Sequence, residues 1–166
     1  DHGYQVGEHG LWGKTSNFEY DARVPLLIRS PVQQSGPGET SSLVELIDVF
    51  PTLAELCGLP QPAGLEGVSL VPVLRDGGMR VKAAARTQHP RPAYYDRTPA
   101  GEPQLMGYSV RTESARYTEW RDWETGVVQG RELYLESDEP GELRNVVGDA
   151  AAADVLRECE RLLRQD

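Results

Sequence analysis

Two hydrophobic periods divide this chain. From Met106 to Thr112, Met, Tyr, Val and Thr alternate with Gly, Ser and Arg, the two-residue period of a half-buried strand. Arg116 to Arg121 follows after a short Glu-Ser-Ala connection, which predicts an antiparallel hairpin. Glu132 to Leu135 adds a third strand and Val81 to Thr87 a fourth. Further on the period becomes helical. Behind Asp149 as cap, Val155, Leu156, Cys159, Leu162 and Leu163 fall on one apolar face. Glu158–Arg161 and Glu160–Arg164 are expected as solvent-side pairs, each contributing about a few tenths of a kcal/mol. The pattern predicts a small antiparallel sheet covered by the last helix.

The first half carries continuous apolar runs instead. Val24-Pro25-Leu26-Leu27-Ile28 reads as a strand buried on both faces, with Pro25 near its start, and Leu43 to Ile47 as another. Ser30 to Ser42, rich in Ser, Gly, Pro and Gln, reads as the loop between them. Asp48 caps a helix over Val49 to Cys57, with Pro51 in its first turn and Gly58 and Pro60 stopping it. Short helical turns are expected over Ser16 to Ala22, capped by Ser16 with Glu19 three residues on, and over Ser69 to Leu74, ended by Asp76-Gly77-Gly78. His89 to Gln104 holds Pro90, Pro92, Pro99, Pro103 and Gly101 and reads as a long loop, which Tyr94 and Tyr95 favour as ordered. This order of elements predicts an α/β chain: residues 1–80 end a larger sheet layer, and residues 81–166 form a small C-terminal subdomain.

Composition narrows the function. The chain has 166 residues and a net charge of −9, against the basic stripe a nucleic-acid binder carries. No run of about 18 apolar residues is present, so no membrane span is expected, and no signal peptide is visible. The chain opens on Asp1, without Met and in the middle of a motif, so it is expected to continue upstream. Cys57 and Cys159 lie in predicted helices without metal-ligand spacing and read as buried free thiols. The basic residues are fifteen arginines and two lysines, and one of those lysines is Lys14.

Residues 1–14 concentrate the candidate chemistry. They hold two of the three histidines, and glycines at 3, 7, 10 and 13, a density suited to tight turns and close ligand approach. Asp1 and His2 are a potential metal pair: the carboxylate suits Ca²⁺ or Mg²⁺ and the imidazole leans to Zn²⁺ or Mn²⁺, so the pair alone does not choose the ion. Lys14 is a compact cation for an anionic ligand. His9 is expected to make a structural hydrogen bond within the loop, and Trp12 to pack.

Asp1-His2-Gly3, Gly7-Glu8-His9-Gly10, Trp12-Gly13-Lys14 and Ala22-Arg23-Val24-Pro25-Leu26 together resemble the C-terminal signature of the sulfatases of the alkaline-phosphatase superfamily. Asp48-Val49-Phe50-Pro51-Thr52-Leu53 with Gly58 resembles their next block. Leu133-Tyr134 and Asn145-Val146, flanking Asp138-Glu139-Pro140, resemble their tail. Met106 to Thr112 with Arg116 to Trp120 is most similar to the iduronate-2-sulfatase branch and its bacterial relatives.

The resemblance implies an alkaline-phosphatase-like fold and sulfate-ester hydrolysis on a sulfated carbohydrate. Asp1 and His2 match the metal-binding pair of a single Ca²⁺, Lys14 matches the lysine that contacts the sulfate, and Tyr4 stands where the branch places an aromatic near substrate. Arg111 is expected to order the small sheet through an ion pair. The family's nucleophile is a formylglycine made from a Cys-x-Pro-Ser-Arg motif. These 166 residues contain no such motif, and neither cysteine fits one. The implied partner is therefore an N-terminal part of the same polypeptide, and the 166 residues alone are expected to be inactive. The implied location is periplasmic or secreted, lysosomal in a eukaryote. The alternatives are a phosphonate monoester hydrolase or phosphodiesterase of the same superfamily, and a non-catalytic glycan-binding relative.

Overall fold

The computed structural model describes residues 2–30, 38–93, 101–137 and 141–165. Along it run β1 (Gln5–Val6), β2 (Trp12–Gly13), α1 (Glu19–Ala22), α2 (Val49–Leu56), α3 (Val71–Arg75), β3 (Ala85–Arg91), β4 (Leu105–Arg111), β5 (Ala115–Asp122), β6 (Val128–Leu135) and α4 (Ala153–Leu163). The chain folds as two compact units. One combines the stretch up to Pro25 with everything from Arg86 onward; the other is Leu26–Ala85. The opening loop therefore belongs with the small sheet, whereas the sequence division at 80/81 groups it with the helices.

In the larger unit, β3, β4, β5 and β6 form one sheet in that order, as the alternation predicts. The pairing Val110↔Tyr117↔Leu133 and Ser109↔Thr118↔Glu132 sorts the side chains onto two faces, because strand neighbours point the same way across the ladder. One face carries Val110, Ala115, Tyr117 and Leu133, all fully buried. Against β4 and β5 packs α4, whose Cys159 and Leu162 are buried. Asp149 caps the 3-10 turn Ala150–Ala152 that leads into α4, accepting from the Ala151 N–H at 2.9 Å, while α4 itself has no side-chain cap. Glu158 meets Arg161, while Glu160 reaches Arg131 at 3.4 Å across to the sheet.

The other face carries Gly107, Ser109, Arg116, Thr118, Trp120, Glu132 and Tyr134, a polar set that is nonetheless mostly buried. Residues 16–19 lie over it: Asn17 Nδ2 donates to the Gly107 carbonyl at 3.1 Å, and the Phe18 ring meets Tyr134 edge-on at 5.8 Å. Gly107 admits no side chain, since a Cβ there would lie 2.6 Å from the Trp120 ring.

The buried phenols on the two faces of the sheet and the buried thiol of α4 set the pH response of the fold. Burial pushes the Cys159 thiol up to about 11 and raises the Tyr117 and Tyr134 phenols above their ordinary range. The unfolded chain therefore loses these protons first, and stability falls as pH rises from the ordinary thiol and phenol values toward the raised ones. Urea melts are expected to show a loss beginning near pH 9 and steepening by about 1.4 kcal/mol per pH unit for each group titrating. A flat profile to pH 11 contradicts this assignment.

In the smaller unit α2 and α3 bury Pro51, Thr52, Ala54, Val71 and Val73. The helix signals at Pro51 and Gly58 hold, but the apolar runs do not become strands. Val24 to Ile28 forms no strand, and Leu27 is 90% exposed. Leu43 to Glu45 is likewise irregular, and Leu46–Asp48 forms a 3-10 turn. Reciprocal capping drives that turn: the Asp48 carboxylate accepts from the Glu45 N–H at 2.7 Å and from Val68 N–H at 2.9 Å. Lys82 neutralises it from 2.8 Å and also meets Glu45. Asp48 is thus a buried fastener of the turn rather than a side-chain cap of α2.

Three further expectations shift. The fourth strand is Ala85–Arg91, so His89 to Arg91 join the sheet rather than the loop; Tyr94, Tyr95 and Pro99 lie outside the described residues. The first helix is shorter and starts after Phe18, because Ser16 Oγ instead accepts from Phe18 N–H and bonds Asp21. Both cysteines are free, with Cys159 buried but Cys57 exposed.

Candidate active-site loop

The opening residues form a two-stranded ribbon, with Gln5 opposite Gly13 and Val6 opposite Trp12. Its turn is closed by Gly7 N–H to Leu11 O at 3.0 Å and Leu11 N–H to Glu8 O at 2.9 Å. The Glu8 carboxylate accepts from the Val6 N–H at 2.7 Å, and that bond holds its carboxyl below the usual carboxylate range. The ribbon brings the two ends of the motif together. Lys14 Nζ lies 2.6 Å from His2 Nε2.

That contact fixes the imidazole's protons. His2 Nδ1 lies 2.8 Å from the Gly3 carbonyl, which only accepts, so Nδ1 carries the hydrogen. A lysine ammonium only donates, so Nε2 presents its lone pair. A neutral imidazole ligates metals through such a lone pair; here the Lys14 ammonium occupies it, so His2 fits a coordination position only with Lys14 turned away. Among the described residues no group of three His, Cys, Asp or Glu side chains completes a metal set; Asp1 lies outside the described residues. Gly3 holds His2 against α1, since a Cβ at Gly3 would lie 1.6 Å from the Tyr20 carbonyl oxygen. Tyr4 is 62% exposed, and its hydroxyl hangs beside Gly13, 3.9 Å from where a Cβ would stand. His2 and Lys14 are therefore neighbours on an exposed surface, and Tyr4 is exposed beside Gly13. Trp12 does not pack as expected; it is 80% exposed, because Val6 and Trp12 face solvent on the ribbon.

Behind the ribbon sits a polar network with no periodicity signal in the sequence. Gln5 is fully buried; its Nε2 donates to Ser16 Oγ at 3.1 Å and to Asp21 Oδ2 at 3.2 Å, and its Oε1 accepts from His9 Nδ1 at 2.8 Å. His9 also stacks on Phe18, with centroids 3.8 Å apart. It is structural, as the sequence suggests. Arg111 is too, bonding Glu19 at 3.3 Å and Glu136 at 2.5 Å. Beside it Arg116 joins Glu19 and, at 2.5 Å, Glu142.

Between this network and the polar sheet face lies a cavity of about 460 Å³. His9, Asn17, Phe18, Arg116, Trp120, Glu132 and Tyr134 are among its lining residues. Trp120 Nε1 donates to Glu132 at 3.1 Å, and burial raises the Glu132 carboxyl above the usual carboxylate range.

Comparison with known proteins places the chain. The family described as "N-sulphoglucosamine sulphohydrolase, C-terminal" matches residues 7–166. Arylsulfatase K of Danio rerio is 34% identical over 99% of this chain and 29% of its own length. Iduronate 2-sulfatase of Mus musculus is 30% identical over 94% of this chain and 38% of its own. N-acetylglucosamine-6-O-sulfatase of Bacteroides thetaiotaomicron is 30% identical over 99% and 28%. The chain thus spans 28–38% of the length of these relatives. A solved structure, of a protein in complex with its substrate D-glucosamine-2-N,6-O-disulfate, matches 97% of this chain and 31% of that one, with a TM-score of 0.78 at 27% identity. The chain belongs to the sulfatases, in the N-sulphoglucosamine sulphohydrolase C-terminal family.

Proposed function

We propose that this chain is the C-terminal part of an iduronate-2-sulfatase-like enzyme that hydrolyses sulfate esters of a sulfated glycan. The observation that carries the reading is the 2.6 Å approach of Lys14 Nζ to His2 Nε2, in a chain of sulfatase family. Lys14 binds a sulfate oxygen. An ammonium has three N–H groups, and the His2 contact occupies one of them, leaving donors for an anion. Its charge stabilises the negative charge that develops as the S–O bond breaks. With Lys14 turned from His2 onto the sulfate, His2, with Asp1 beside it in sequence, would hold a Ca²⁺ together with ligands from outside these 166 residues. When bound, such an ion polarises the ester and stabilises a charged nucleophile. Tyr4, exposed beside Gly13, borders the substrate.

In this reading the nucleophile is a formylglycine outside the 166 residues, and the enzyme works in the periplasm, outside the cell or in the lysosome. Among the described residues no helix is long and apolar enough to cross a membrane. The test is sulfate release from 6-O-sulfated glucosamine and 2-O-sulfated uronate disaccharides. The full-length protein carrying this chain is expected to release sulfate, and the 166 residues alone to release none. Absence of turnover in the former, or turnover in the latter, contradicts the reading.

A further inference from the structure

On the reading of Lys14 as the sulfate contact, we propose that Arg91 is its positioning residue, clamping the Thr15 carbonyl so that a strained turn aims Lys14 at His2.

Two residues with positive φ bracket Lys14: Gly13 at 136° and Thr15 at 85°. Glycine takes such a conformation at no steric cost. Threonine does not, because its branched Cβ crowds the backbone there. A β-branched residue stays in that region only where its surroundings over-determine it. Here both flanks of Thr15 are held. Before it, Gly13 pairs with Gln5 in the ribbon. After it, Ser16 and Asn17 are buried; Ser16 Oγ accepts from Gln5 Nε2 at 3.1 Å, and Asn17 Nδ2 donates to the Gly107 carbonyl. The Thr15 carbonyl itself accepts from Arg91 Nη1 at 2.9 Å.

Arg91 is fixed well enough to act as a clamp. It ends β3, where its own carbonyl accepts from the Gln104 N–H at 2.8 Å. Its guanidinium lies over the Trp120 ring, 5.4 Å from the centroid, a favourable cation–π placement. The sheet thus holds the arginine, and the arginine holds the turn. Without the clamp, Thr15 relaxes toward negative φ and carries the Lys14 Cα–Cβ direction away from His2. With the backbone held, the Lys14 side chain remains free to swing from His2 onto a sulfate.

The test is a double-variant cycle in the full-length enzyme, read by kcat for sulfate-ester hydrolysis and by thermal melts. Arg91→Met removes the donor and keeps an unbranched stem; it is expected to lower kcat by about 10–100-fold, as a misplaced group does. Thr15→Gly relieves the strain and is expected to raise the melting temperature by about 1–2 °C. Adding Thr15→Gly to Arg91→Met is expected to recover roughly tenfold in kcat, since glycine keeps the turn without a clamp. Packing or charge lost at Arg91 would not be mended by a glycine at 15. The Thr15→Gly melt judges the strain even where Arg91→Met fails to fold. Unchanged kcat in Arg91→Met, no recovery in the double variant, or a lower melting temperature in Thr15→Gly would each overturn the clamp and leave the role of Lys14 intact. Normal kcat in Lys14→Ala would instead overturn the reading on which the clamp rests.

Discussion

Lys14→Ala is expected to lower kcat for sulfate-ester hydrolysis by about 10²–10³-fold in the full-length enzyme, the usual effect of deleting one donor aimed at developing charge. The same variant is expected to leave stability within about 0.5 kcal/mol, because exposed side chains outside packed or paired sites contribute little. Lys14 is exposed, and its described side-chain bond is the one to His2. The combination is diagnostic. Lys14→Arg should recover only part of the rate, since a planar guanidinium cannot take the place of a compact ammonium so close to an imidazole. Steady-state kinetics with a thermal melt decide it: normal kcat in Lys14→Ala removes the residue from the site.

Arg116→Ala is expected to cost about 3–5 kcal/mol, the penalty for removing one partner of a buried ion pair. Arg116 lies on the covered polar face of the sheet and ties two separate segments to it, Glu19 of α1 and Glu142 of the stretch after β6. Removing it leaves the nearly buried Glu142 short of its cation and Glu19 with Arg111 alone. Arg144 offers the contrast. It is exposed and 3.7 Å from Asp149, so Arg144→Ala should cost about 0.5 kcal/mol or less. Urea denaturation of the two variants measures the difference, and equal midpoints would contradict a structural role for the buried arginine.

The elements legible in the sequence are those whose own residues decide their form. The 105–122 hairpin follows from alternation, and α4 from its apolar face behind Asp149. The runs at 24–28 and 43–47 were not, because an unbroken apolar run takes its form from its neighbours. No partner strand reaches the first among the described residues, and the second meets Glu45 and Asp48, whose reciprocal caps wind it into a turn. In the candidate site, His2, Tyr4 and Lys14 were nameable through resemblance, and the ribbon brings Lys14 to His2. Arg116 and Glu132 were hidden by the same alternation that revealed the strands, and Gln5 by a strand of two residues, too short to show any period. A polar residue opposite an apolar face reads as solvent-facing, and here residues 16–19 cover that face instead. Trp12 erred the other way, since ring size predicts packing but β2 turns it outward.

The central claim, that Lys14 and His2 form the sulfate end of an active site, is tested most directly by the choice of transferred group. The full-length protein is offered a sulfate monoester and the matching phenylphosphonate and phosphate esters under identical conditions. Preference for the sulfate ester by about 10²-fold or more in kcat/KM, abolished in Lys14→Ala, is the predicted result. Faster cleavage of the phosphonate or phosphate ester would contradict it.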